Sequence, residues 1–296
     1  MPYIEKMGLS YLALILFCIA NLAHASCSKT IVVNQASWKP YMYTDLSGKH
    51  AGLDHELVKH ILTLAGCDFE FVEFPSRRAL FELEKGRIDM VAGASITPER
   101  EIYGRFTTSY RDETMVIFIR RQNQGHFPAV NLEQMLDTHQ IIMGAVIGAY
   151  YGEQFSRLNQ KKLTQNNQLI LMKNNKNLLS LLSLNRIDAA VGDKISLSVM
   201  ANEMGIGEDF AVHDLILNQD FVHLLLSKRS TTVEDLHKIN KAIEVFTQSD
   251  VYTDLLSRYG LQRNRGQNRE ELKLGDDALG YIYSPAHHSG SSIGSF

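Results

Sequence analysis

The chain has 296 residues, of which 45% are hydrophobic and 21% charged, with a formal net charge of −3. That balance describes an ordinary globular protein and leaves no basic excess for nucleic acid or an anionic membrane surface. The length is that of two domain-sized units.

The first segment carries Lys6, an apolar run from Gly8 to Leu22, and the small-residue pair of Ala23-His24-Ala25. This is the pattern of a secretory signal, residues 1–25, cut after Ala25. The run is shorter than the ~20 apolar residues that span a bilayer, and His24 stands where a lipoprotein signal has an aliphatic residue. The mature chain then begins at Ser26, in the periplasm. Of three cysteines, Cys18 leaves with the signal. Cys27 and Cys67 remain, an even count in an oxidising compartment, and one disulfide is expected. Closing that loop restricts the unfolded chain by about 4 kcal/mol in the entropic model.

Lys29 to Asn34 reads as a strand. Asp54 to Leu64 reads as a helix, with Leu57, Val58, Ile61 and Leu62 at helical spacing. A strand from Phe69 to Phe74, a helix from Arg78 to Glu84 and a strand from Ile88 to Ala92 follow. The rhythm recurs: strand Gln140 to Val146, helix Tyr150 to Asn159, strand Leu169 to Met172, helix Leu178 to Leu184, strand Ile187 to Val191. Strand Phe221 to Leu226 and helices Val233 to Thr247 and Asp250 to Tyr259 close the periodic part. Alternation of this kind predicts an α/β fold with mostly parallel sheets. From Gln262 onward periodicity is lost, and residues 263–296 read as a disordered tail.

Gly86-Arg87-Ile88-Asp89-Met90-Val91-Ala92-Gly93 is echoed by Asn185-Arg186-Ile187-Asp188-Ala189-Ala190-Val191-Gly192. The echo predicts two lobes built alike, with ligands outside the carboxyl ends of their strands. At the first such end, Gly93 permits close backbone approach, Ser95 and Thr97 offer hydroxyls, and Arg100 supplies a planar fork suited to a carboxylate. A helix cap with a surface arginine is the alternative. At the second end Asp193 is either a helix cap or the partner of a ligand cation. Arg100 and Asp193 on opposite walls form a receptor for a zwitterion. The turn Val146 to Gly152 puts a glycine-loosened helix start after a strand, where N–H groups can meet an anion.

Trp38-Lys39-Pro40-Tyr41, Gly52-Leu53-Asp54, Gly86-Arg87-Ile88-Asp89, Ser95-Ile96-Thr97-Pro98-Glu99-Arg100, Phe106 to Tyr110, and Arg186-Ile187-Asp188 with Asp193 together resemble the extracellular solute-binding proteins of family three, the periplasmic receptors of polar amino acid transporters. The resemblance spans Lys29 to Leu261. It implies a two-lobe periplasmic binding protein fold of type II: 26–112 with 221–262 as lobe one, 113–220 as lobe two, and a hinge where the chain crosses near Arg111 to Glu113 and Asn218 to Phe221. It assigns the ligand carboxylate to Arg100 and the α-ammonium to Asp193, a flat wall to Trp38, and a place near the cleft to Arg78, for which Arg77 can substitute. The chain departs from the family at Gly148-Ala149-Tyr150-Tyr151, where Tyr150 and Tyr151 replace a hydroxyl donor and narrow the cleft.

The expected partner is an amino acid-like small molecule, with a permease of the ABC class or a membrane sensor beyond it; no nucleic acid partner and no cofactor are implied, and the expected state is a monomer. The eleven histidines show no metal-ligand spacing. A periplasmic enzyme of dehydratase type on the same scaffold is the competing reading, with Glu153, His50 and His55 as acid–base candidates. His55 is expected on a solvated helix face. A subunit acting by contact alone is the third.

Overall fold

The computed structural model describes residues 26–158 and 160–261; the predicted signal and the predicted tail lie outside them. β1 (Ile31–Gln35) leads through β2 (Tyr43–Thr44) and β3 (His50–Ala51) into α1 (Leu53–Leu64). β4 (Phe69–Glu73), α2 (Ser76–Glu84), β5 (Met90–Ala94) and α3 (Pro98–Tyr103) follow, then β6 (Gly104–Arg120). Next come α4 (Leu132–His139), β7 (Met143–Val146), α5 (Glu153–Arg157), α6 (Gln160–Gln165), β8 (Leu169–Met172), α7 (Asn175–Ser183), β9 (Ala189–Asp193) and α8 (Lys194–Glu203). β10 (Phe210–Val212), β11 (Asn218–Ser227), α9 (Val233–Thr247) and α10 (Asp250–Arg258) complete the chain.

One nine-stranded sheet runs through both lobes in the order β4-β1-β5-β11-β6-β9-β7-β8, with β10 added to β6. The outer triplets β4-β1-β5 and β9-β7-β8 are parallel, as βαβ units require. The central pair β11 and β6 is antiparallel to each other and to its neighbours. β6, with 17 residues, is the longest strand and was not expected from periodicity. Its middle carries Arg111-Asp112-Glu113, charges that break the apolar run a strand is recognised by.

Each lobe has its own core. Leu57, Ile61, Ile243, Phe246 and Leu255 pack helices α1, α9 and α10 on one end of the sheet. At the other end, Ile117, Leu136 and Val191 fill one face, and Val116, Leu182 and Leu197 the opposite face. Cys27 and Cys67 form the expected disulfide, with Cα atoms 4.8 Å apart, at the origin of the paired strands β1 and β4.

The sequence echo is structural. Gly86 and Asn185, both at positive φ, end α2 and α7 in the left-handed conformation that closes a helix. Three residues on, Asp89 and Asp188 turn back to accept the backbone N–H of Val32 at 2.8 Å and of Ile142 at 2.9 Å. This return moves the start of β5 and β9 two residues beyond the expected start. The expected helix Tyr150 to Asn159 is also revised. Gly152, at φ 94°, caps a five-residue α5 that begins at Glu153, and the chain is extended again at Leu158.

Candidate functional site

The carboxyl end of β5 supplies the first wall. Gly93 has φ +66°, and a Cβ there would stand 2.7 Å from the Trp38 ring, so only glycine lets the ring lie on the strand end. Its N–H donates to the Tyr110 hydroxyl at 2.9 Å. Thr97 is the N-cap of α3, its hydroxyl accepting the Arg100 N–H at 3.3 Å, with Pro98 opening the helix. The Arg100 side chain then folds back so that one guanidinium nitrogen donates to the Ser95 carbonyl at 2.9 Å. Ser95 is buried and Arg100 half-buried. Burial depresses the Arg100 pKa, which nearby Tyr103 and Glu99 partly offset. Among the described residues no carboxylate lies within ion-pair distance of it.

Asp193 ends β9 on the second wall and is 4% exposed. It accepts the Ser196 N–H at 2.7 Å, capping α8, and the Tyr41 hydroxyl at 2.9 Å. Both bonds fall on Oδ1. The cap weighed from the sequence is therefore realised, and a tie to the other lobe is added. Burial raises the Asp193 pKa, against these hydrogen bonds. Lys39 adds two further ties between the lobes: its carbonyl accepts the Ser196 hydroxyl at 2.5 Å and its ammonium pairs with Glu203 at 3.0 Å.

Between the walls lies a group that sequence reasoning did not assign to the site. The Arg111 guanidinium binds Asp54 through two hydrogen bonds, Nε to Oδ1 at 2.6 Å and Nη2 to Oδ2 at 2.9 Å, and both side chains are buried. Tyr41 and Trp38 cover that guanidinium at 3.9 and 5.4 Å from its carbon to their ring centroids. Burial works against the Arg111 charge, yet Asp54 outweighs it and holds the pKa well above its ordinary value. Two residues along, Glu113 is 6% exposed and its Oε1 has no hydrogen-bond partner. Burial pushes its pKa up to about 8, against the pull of Arg111. The signal available for this group was Arg111-Asp112-Glu113 itself, alternate charges on one face of a strand.

The remaining expected residues divide. Tyr150 is half-exposed, and the Arg100 charge acts on its phenol, with burial raising its pKa. Tyr151 does not narrow the cleft. It is buried against Phe155, and its hydroxyl accepts the Val146 N–H at 2.8 Å. That bond, and the one from Ile147 N–H to Met172 O at 2.9 Å, occupy N–H groups expected to meet an anion. Arg78 pairs with Glu82 and covers Phe81 on α2. It is Arg77 that lies against Gly148 of the opposite lobe. His55 is buried rather than solvated, its Nδ1 3.0 Å from Gln35 Oε1, because α1 packs that face on β1 and Phe71. Among the described residues no group of three or more His, Cys, Asp or Glu is placed to hold a metal ion.

A two-lobed α/β fold with one mixed sheet passing through both lobes defines a class of solute-binding proteins. Residues 30–262 match the bacterial extracellular solute-binding proteins, family 3, and the chain belongs to that family. A curated relative, the probable ABC transporter arginine-binding protein ArtJ of Chlamydia trachomatis serovar D, is 28% identical over 102 residues, 32% of this chain and 40% of the relative. The chain thus matches less than half the length of that relative. Among solved structures, a histidine kinase sensor domain with similarity to periplasmic binding proteins superposes with TM-score 0.68 and 19% identity, over 80% of this chain and 99% of the other. The arginine-, lysine-, histidine-binding protein ArtJ of Geobacillus stearothermophilus gives TM-score 0.63 and 19% identity, over 80% and 97%. These likenesses establish the two-lobe fold.

Proposed function

We propose that the mature protein is a periplasmic receptor that closes on an amino acid or a related zwitterion. The observation that carries this reading is Arg100: half-buried, anchored by a single bond to Ser95 O, and with no carboxylate paired to it among the described residues. A guanidinium withdrawn from water without a counter-ion is costly, and a ligand carboxylate supplies that counter-ion bidentately. Ser95, Thr97 and Gly93 shape its pocket, Asp193 receives the α-ammonium through Oδ2, and Trp38 and Tyr150 flank the solute. Arg77 stands at the rim in the place first considered for Arg78.

The lobes are 26–112 with 221–262 and 113–220, and the hinge is the pair of central strands. Family membership and the named relatives favour a receptor over an enzyme and support delivery to an ABC-type permease, with a membrane sensor as the second destination. The receptor acts as a monomer, exported by residues 1–25; no helix of the described residues is long and apolar enough to cross a membrane.

The test is thermal denaturation of the protein from Ser26 onward, freed of solute, against amino acids, small peptides, polyamines and organic acids. A ligand at a hundred times its Kd adds about 2.7 kcal/mol to native stability, a shift of several degrees. Stabilisation by a zwitterion that disappears in Arg100→Ala is the expected result. A shift that persists in Arg100→Ala overturns the placement of the carboxylate, and no shift with any amino acid overturns the ligand class.

A further inference from the structure

We infer that Glu113 is a ligand-contacting residue that receives a second positive charge, so that the solute is an amino acid with a cationic side chain. The inference rests on the proposed amino acid site and adds a contact to it.

Glu113 sits on the central strand β6, on the same face as Arg111, within reach of the charges of both Arg100 and Asp193. Its side chain is 6% exposed and one carboxyl oxygen is unpartnered. A buried acceptor of that kind is either compensated by a ligand or kept neutral. The charges acting on it come from every side of the site: Arg111 on its own strand, Asp54 on α1, Arg100 on α3, Asp193 at the end of β9. The phenols of Tyr41 and Tyr151 also sense it. Asp220, its cross-strand partner on β11, is exposed and adds negative charge on the same side.

The charge count then decides the ligand. Asp54 is neutralised by Arg111 through two hydrogen bonds. A zwitterion with an uncharged side chain places its carboxylate on Arg100 and its ammonium on Asp193, and leaves Glu113 as a buried neutral acid with Oε1 unpartnered. A second cation gives that buried oxygen a partner as an ion pair. In the empty site the carboxyl stays protonated near neutral pH, since burial lifts its pKa to about 8. On binding, the ligand cation displaces that proton to the buffer, and the carboxylate that remains forms the ion pair. One proton leaves the Glu113–Asp193 pair for each ligand bound, and no other bond changes.

The experiment is isothermal titration at pH 7 of L-arginine and of L-citrulline, its neutral near-isostere, into the parent and Glu113→Gln, each in two buffers of different ionisation enthalpy. Arginine is expected to bind at least ten times tighter than citrulline to the parent and to release close to one proton. In Glu113→Gln the preference is expected to fall at least tenfold and the proton release to vanish. The proton count in the parent needs no variant, so the inference stays open to refutation if Glu113→Gln does not fold. Binding of citrulline and arginine with equal affinity, or an unchanged preference in Glu113→Gln, overturns the role of Glu113 alone. Binding of no amino acid overturns the ligand class and this inference with it.

Discussion

The Tyr41 hydroxyl donates to Asp193 Oδ1 across the two lobes at 2.9 Å, so the residue proposed to hold the ligand ammonium is tied to the opposite wall before any ligand arrives. Tyr41 is fully buried and Asp193 nearly so. An opening of the proposed hinge would have to break that bond.

Tyr41→Phe removes that hydrogen bond and leaves the cap from Ser196 intact. Hydrogen bonds to charged groups contribute about 1.5–3 kcal/mol, so the unliganded variant is expected to lose roughly that much in urea denaturation. The same loss shifts the unliganded population toward open forms, visible as a larger radius of gyration in solution scattering. An unchanged midpoint and radius would show that the bond contributes nothing to closure.

Asp54 and Arg111 make the second relationship on which the site depends. Breaking a buried pair by removing one partner costs about 3–5 kcal/mol, because the other charge is left uncompensated, whereas apolar replacement of both is often near neutral. Asp54→Asn is expected to fall in that range. Asp54→Leu with Arg111→Met is expected to recover most of the loss in stability. A double variant as unstable as Asp54→Asn would mean that the guanidinium's stacking on Tyr41 and Trp38 carries the energy instead.

Stability against pH should bend twice, for opposite reasons. His55 has its pKa lowered to about 4, first by burial and then by the Lys59 charge. The folded state then binds fewer protons than the unfolded one between about 4 and the ordinary value near 6.5. Its contribution is present above pH 6.5 and lost as pH falls through that window. Glu113, raised to about 8, does the reverse. The folded state holds a proton that the unfolded state releases above about 4.3, so stability falls as pH rises toward 8. Urea midpoints of the unliganded protein are expected to fall from pH 6.5 to 8.5, where only Glu113 of the two contributes. Glu113→Gln is expected to flatten that limb and His55→Asn the acidic limb. A parent protein equally stable at pH 6.5 and 8.5 would contradict the Glu113 assignment.

How much of this was legible in the sequence depended on whether a residue obeyed or broke its local pattern. The βαβ rhythm and the lobe repeat follow from periodicity and from Arg-Ile-Asp, whose aspartates accept the N–H groups of Val32 and Ile142, and the disulfide follows from an even cysteine count. The strand end from Gly93 to Arg100 was legible because a helix start after glycine is a local signal. β6 was not, since Arg111, Asp112 and Glu113 interrupt its hydrophobic run, and a buried charge can be distinguished from a solvated one only by its tertiary partners. His55 misled for the same reason: helical spacing places it on a face, but Gln35 and Phe71, which cover that face, come from other elements. Tyr151 could not be separated from Tyr150, because the partners that bury it, Phe155 and the Val146 N–H, meet it only in the folded chain.

Gly93→Ala tests the geometry of the first wall without touching a charge. The backbone there is at φ +66°, left-handed, which a non-glycine residue adopts at roughly 1–2 kcal/mol. The added methyl would also come within 2.7 Å of the Trp38 ring, 3.4 Å of Asp54 Oδ2 and 3.5 Å of an Arg111 nitrogen. Trp38 is the softest of the three, since Asp54 and Arg111 are locked to each other. It is therefore expected to swing away from the strand end, stripping the flat wall from the cleft and uncovering one side of Arg111. The variant should lose about 1–3 kcal/mol of stability, and its affinity for any amino acid should fall tenfold or more. Tryptophan fluorescence reads the movement directly, because Trp38 is the only tryptophan in the chain. A variant with unchanged emission and unchanged affinity would show that neither the ring nor the glycine shapes the binding cleft.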